Sequence, residues 1–257
     1  MCDMQSKVVS MHDAVDCAIY VGSIDHFIEG EWLPRPPLPP LPEGMKVTVL
    51  RVIGQTDRKT QQERIKRWRD RMTTELGNWL SSPLDWDETE RQHAVAEPGG
   101  TCWMALMLWA AYAEFREEPP AVVGPSGLAS NDPVFQRLKD LPEFPRFRQI
   151  VQCIDYWLPV SFDTVLQSSG PQDENAFIGS SPVLLAQLQA LNEETWRADR
   201  ATIEGWSEAG KPAGDRLEAQ ARYAFAELLL AAQYSCDHGM PMAYYFDADA
   251  LSPDLGA

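Results

Sequence analysis

Residues 102–113 read CWMALMLWAAYA, the longest apolar stretch in the chain. Twelve residues fall well short of the roughly 20 that a membrane-spanning helix requires, so the stretch predicts a core helix. Thr101 stands at the position of an N-cap, and Pro119 and Pro120 forbid continuation much beyond Glu117. Being apolar almost all round, this helix is expected at the centre of the fold.

Outward from it, most of the chain has helical periodicity. From Thr56 onward, Ile65, Trp68, Met72, Leu76 and Trp79 recur every three or four residues, while Arg64, Arg67 and Arg71 form a basic ridge. Asp132 before Pro133 and Ser181 before Pro182 place a capping oxygen ahead of a proline in the first turn. A helix is predicted over 145–157, ending before Pro159, with a loop over 161–176 and a helical segment from Pro182 to Trp206. The last helix has the clearest stripe, Leu217, Ala221, Ala224, Phe225, Leu228, Leu229 and Ala232, and is stopped by Gly239 and Pro241. Strand-like runs are few: Cys17 to Val21, Met45 to Ile53, and a short edge candidate at Met242 to Phe246. The pattern predicts a mainly α protein, a helical domain with a central apolar helix and a small N-terminal β element. Residues 1–257 read as a single domain, with 1–55 a partly β subregion and the Pro-rich 34–42 an extended segment.

The formal charge of -16 is unevenly spread. Residues 45–72 carry nine Lys/Arg against three Asp/Glu, and residues 151–257 carry five against sixteen. Such a charge repels phosphate backbones and anionic lipid, so neither nucleic acid nor membrane is expected as a partner, and a basic protein is. Five cysteines, scattered and never spaced Cys-x-x-Cys, argue against a disulfide framework. The opening residues lack the basic-then-apolar pattern of an export signal, and a cytoplasmic location is expected.

For chemistry, Gly99-Gly100-Thr101-Cys102-Trp103 puts a thiol at a helix start, where the dipole favours thiolate. This stretch resembles papain-like thiol hydrolases. The resemblance implies Cys102 as nucleophile and His238, 136 residues downstream, as base, with Asp247 or Asp249 as orienter. The family's first motif cysteine is Gly99 here, and its oxyanion glutamine falls on Ala96. His12, His26, His93 and His238 show no metal-ligand spacing, and no phosphate-cradling glycine motif occurs, so neither metal nor cofactor is expected.

Acidity, tryptophan content and the want of a catalytic constellation favour a protein-binding protein over an enzyme. The reading is an acidic cytoplasmic binder, with neutralisation of a bacterial toxin by an immunity protein as the specific form of it. Its contact surface is expected to use Asp85, Asp87, Glu88, Asp173 and Glu174, with Trp86 as an exposed aromatic anchor. The alternative is the thiol hydrolase built on Cys102 and His238.

Overall fold

The computed structural model of the protein describes residues 17–30, 32–33, 57–80, 83–122 and 132–246. Its helices are α1 (Ile24–Glu29), α2 (Arg58–Leu76), α3 (Gly100–Phe115), α4 (Pro133–Lys139), α5 (Arg148–Val151), α6 (Ser181–Glu194), α7 (Arg200–Glu208) and α8 (Leu217–His238). Its strands are β1 (Cys17–Val21), β2 (Ala94–Ala96), β3 (Tyr156–Leu158), β4 (Leu166–Ser169), β5 (Asn175–Ser180) and β6 (Met242–Phe246). They form one six-stranded sheet in the order β2-β1-β6-β3-β5-β4, antiparallel throughout except where β3 and β5 run parallel.

The expectation of a mainly α fold with a small N-terminal β element is therefore corrected: about half of the described residues are helical, and the fold is α/β. The sheet escapes a reading by periodicity because its strands are three to six residues long and collected from the whole chain. The predicted helix over 145–157 shrinks to the single turn of α5, and Trp157 belongs to β3. The predicted loop over 161–176 contains β4 and the start of β5. Met242–Phe246 is an interior strand between β1 and β3 rather than an edge. The strand expected at 45–53 and the Pro-rich 34–42 lie outside the described residues.

Side-chain alternation along the strands creates two covered faces. Trp157 meets Trp103 of α3 at 6.3 Å between ring centroids, and Tyr244 meets the same ring at 5.6 Å. Their neighbours point the other way: Tyr156 packs on Trp68 of α2 at 5.5 Å, and Tyr20 on Phe27 of α1 at 5.6 Å. The sheet is thus sandwiched, with α3 and α8 on one side and α1 and α2 on the other. Burial on both faces explains why all five residues of β1 are buried and why no polar-apolar alternation marks them.

The helices follow their sequence signals more closely. Ile65, Trp68, Met72 and Leu76 form the buried stripe of α2, although Trp79 leaves it in a 3-10 turn and is 55% exposed. The cap of α3 is Gly99 at φ 71 rather than Thr101. Asp132 caps α4 through the Val134 N–H, while α6 is capped by Ser180, one residue before the expected Ser181. The segment 182–206 is two helices, separated where Asp199 caps α7. No helix among the described residues is long and apolar enough to cross a membrane.

Candidate protein-interaction surface

The acidic segment 84–90 runs back alongside α2, in the opposite direction. The Leu84 N–H donates to Thr73 Oγ1 at 3.2 Å, and Arg69 Nη1 donates to the Trp86 carbonyl at 2.8 Å. At its far end Glu88 accepts the Asp25 N–H of α1 at 3.0 Å. With its backbone tied at Leu84 and Trp86 and the Glu88 carboxylate fastened to α1, the segment directs alternate side chains in opposite directions. Trp86 faces inward at 6% exposure, edge-on to Trp68 at 6.0 Å, with Arg69 over its ring at 5.3 Å and its Nε1–H donated to Glu88. The expected exposed anchor is therefore part of the core, because α2 offers it an aromatic partner and a cation.

Glu88 is half-buried, and burial pushes its carboxyl above the ordinary carboxylate range, aided by the nearby Asp25. Its neighbours face solvent. The Asp85 side chain is 94% exposed, with Arg69 3.9 Å away. Asp87 accepts the Thr89 hydroxyl at 2.7 Å and the Thr89 N–H at 2.8 Å; these bonds hold its carboxyl below the usual range, so it stays ionised. Glu90 turns back to accept the Gln92 N–H at 2.7 Å.

Asp173 and Glu174 lie in the turn joining β4 to β5. Asp173 adopts the left-handed conformation at φ 66, which a short polar side chain tolerates better than most. Glu174 is exposed but anchored: Tyr156 donates to it at 2.8 Å, and its second oxygen accepts the Gln172 N–H at 2.8 Å. Desolvation and this carboxylate together raise the Tyr156 phenol well above its usual range, so it remains a donor. The two acidic sites are joined through the α2 layer by Glu88, Trp86, Trp68, Tyr156 and Glu174, each touching the next. Arg71 of α2 also donates to the Ser169 carbonyl beside the turn, at 3.0 Å.

Beside the acidic loop lies a pocket of about 280 Å³, lined by Asp85, Trp86, Asp87 and Glu90 on one side and by Tyr234 and His238 of α8 on the other. Glu90, Tyr234 and His238 were not expected at the surface site. Glu90 continues the acidic run and was legible, whereas the α8 residues join it only through the tertiary fold.

The hydrolase constellation does not assemble. Cys102 is fully buried, whereas His238 is exposed. Tyr223 lies beside the Cys102 end of α3, its hydroxyl donating to the Glu97 carbonyl at 3.2 Å. His238 comes fifteen residues after Tyr223 along α8, about 22 Å at the helical rise. The imidazole instead bonds the Tyr234 carbonyl at 2.9 Å. Asp247 and Asp249 lie outside the described residues. Among the described residues no group of three or more His, Cys, Asp or Glu is placed to hold a metal ion.

Fold and surface together define an α/β protein that carries acidic side chains, several of them held by hydrogen bonds, on a well-packed frame. Residues 44–244 match the sequence model of the family described as "Putative DNA-mimic protein", and the chain belongs to that family. No curated protein and no solved structure matches the chain. The family corrects the expectation that set nucleic acid aside when naming this protein's partners, because its description relates the family to DNA by mimicry. Charge repulsion argues against binding DNA, yet a protein that repels phosphate because it is itself densely anionic has the electrostatic property that an imitation of DNA needs.

Proposed function

We propose that the protein binds a DNA-binding protein in place of DNA, presenting carboxylates where the partner's lysines and arginines otherwise meet phosphates. The observation that carries this reading, beside the family, is the pair of acidic sites linked through α2, in which Asp87, Glu88 and Glu174 are anchored by hydrogen bonds and Asp85 and Asp173 stand exposed beside them. Duplex DNA carries about one charge per 1.7 Å of axis, and proteins that neutralise it bind mainly through that charge. The carboxylates held by hydrogen bonds, Asp87 and Glu174, need little ordering on association, which favours affinity as well as steering.

Trp86 has a supporting role in this reading: it pins the loop against Trp68 and Arg69 instead of entering the partner. A toxin that acts on DNA would be one such partner, but no residue described here selects it over other DNA-binding proteins.

The reading is tested by displacement. A fluorescent 20-base-pair duplex is bound to each of a panel of basic DNA-binding proteins, and the acidic protein is titrated in at low and at physiological salt. Release of the duplex from at least one panel member is expected, weakening steeply as salt rises. The variant Asp85→Asn, Asp87→Asn, Asp173→Asn, Glu174→Gln should need at least about tenfold more protein, since each surface charge contributes modestly and the effects accumulate. Equal displacement by the variant, or none from any panel member, would rule the proposal out.

A further inference from the structure

The pocket between the acidic loop and α8 differs from the rest of the anionic surface in having an aromatic wall. Tyr234 and His238 stack with centroids 3.9 Å apart and planes 21° from parallel. The His238 ring is oriented by its bond to the Tyr234 carbonyl at 2.9 Å. Opposite stand Asp85, Asp87 and Glu90, and among the described residues neither Asp87 nor Glu90 forms an ion pair. The pocket also opens at the C-terminal end of α8, a 22-residue helix whose dipole places partial negative charge there.

We infer that this pocket receives an arginine side chain of the partner, its guanidinium lying against the Tyr234–His238 pair and its N–H groups directed at Asp87 and Glu90. The inference rests on the proposed function and names the group that anchors it. The pocket combines carboxylates, a helix C-terminus and a flat π surface. A planar cation can stack flat on the wall while its fixed donor fork reaches the carboxylates, whereas a compact ammonium is attracted to the same groups without that matched geometry. A phosphate chain offers no such wall, so the pocket adds selectivity that the rest of the surface charge lacks.

The test titrates isotope-labelled full-length protein with nona-arginine and with nona-lysine, following backbone amide shifts at low salt. Both peptides should bind, the arginine peptide about fivefold or more tightly, with its largest shifts on residues 85–92 and 234–240. Asp87→Asn with Glu90→Gln, both on exposed groups, should remove those shifts, and Tyr234→Leu should abolish the preference for arginine while leaving lysine affinity in place. Equal affinity for the two peptides, or shifts lying elsewhere on the acidic surface, overturns the arginine pocket and leaves the proposed function standing. Failure of either peptide to bind in a salt-dependent way overturns both.

Discussion

Glu88 shows how one side chain serves two structures at once. It receives the Asp25 N–H of α1 and the Trp86 indole, so it fastens the acidic loop to the body of the protein. The cost is desolvation, which raises its carboxyl above the ordinary value. A carboxyl whose folded pKa exceeds its unfolded one takes up a proton more readily when folded. Its contribution to stability therefore grows as pH falls from neutrality through the raised pKa, levelling off below the unfolded value near 4.5. Glu88→Gln removes that titration. Urea unfolding from pH 7 to 4 should show wild type gaining on the variant as pH falls, and parallel profiles would contradict the burial of this group. Cys102 teaches the reverse lesson at the same scale: a thiol at a helix start has the sequence context of a nucleophile and the surroundings of a core residue.

Among the elements, β5 is the most demanding. It lies between β3 and β4, and Gly179 faces the crowded side: a Cβ there would lie 2.2 Å from Gln149 Oε1 and 2.9 Å from both Ile154 Cδ1 and Trp157 Cδ1. Gln149 cannot simply swing away, since its Oε1 accepts the Ser180 N–H at 3.2 Å and its Nε2 donates to the Thr164 carbonyl at 3.1 Å. Gly179→Ala should destabilise the protein by about 1–3 kcal/mol through overpacking, measured by chemical denaturation. At Gly205 on α7, where a Cβ meets nothing within 4 Å, the same substitution should stabilise by about 0.5–1 kcal/mol. Opposite signs at the two glycines are the expected result; stabilisation at both would contradict the close packing of β5 against Gln149, Ile154 and Trp157.

Across the whole molecule, a formal charge of -16 works against compactness as well as for recognition. Ion pairs such as Arg58 with Asp25 and Glu29, Arg69 with Asp85, and Arg146 with Glu194 show that basic residues, including the cation-rich α2, compensate part of the protein's own acid. The excess remains on the surface, where added salt screens it within roughly 10 Å at 0.1 M. Raising sodium chloride from 10 to 200 mM should therefore raise Tm while weakening partner binding, a pair of opposite responses measurable by thermal denaturation and by the displacement assay. A Tm that falls with salt would mean that attractive pairs outweigh the self-repulsion.

Periodicity and punctuation were enough to find α2, the core helix α3, the cap of α4 and the stripe of α8, because a helix of several turns writes its buried face locally at fixed spacing. Charge was equally legible: Asp85, Asp87, Glu90, Asp173 and Glu174 are exposed, whereas Glu88 and Trp86 of the same run turn inward. The sequence by itself thus determined long helices, acidity and a binder's electrostatics. The sheet was decided only by the tertiary structure, since Tyr156–Leu158 and Ala94–Ala96 are too short to carry a period and find their partners far along the chain. The same holds for the orientation of Trp86, which needed Trp68 to draw it inward, and for the pocket, which joins residues about 150 positions apart. Local sequence encodes what a residue's near neighbours repeat, whereas strand pairing, burial and pocket formation depend on segments that meet only once the chain has folded.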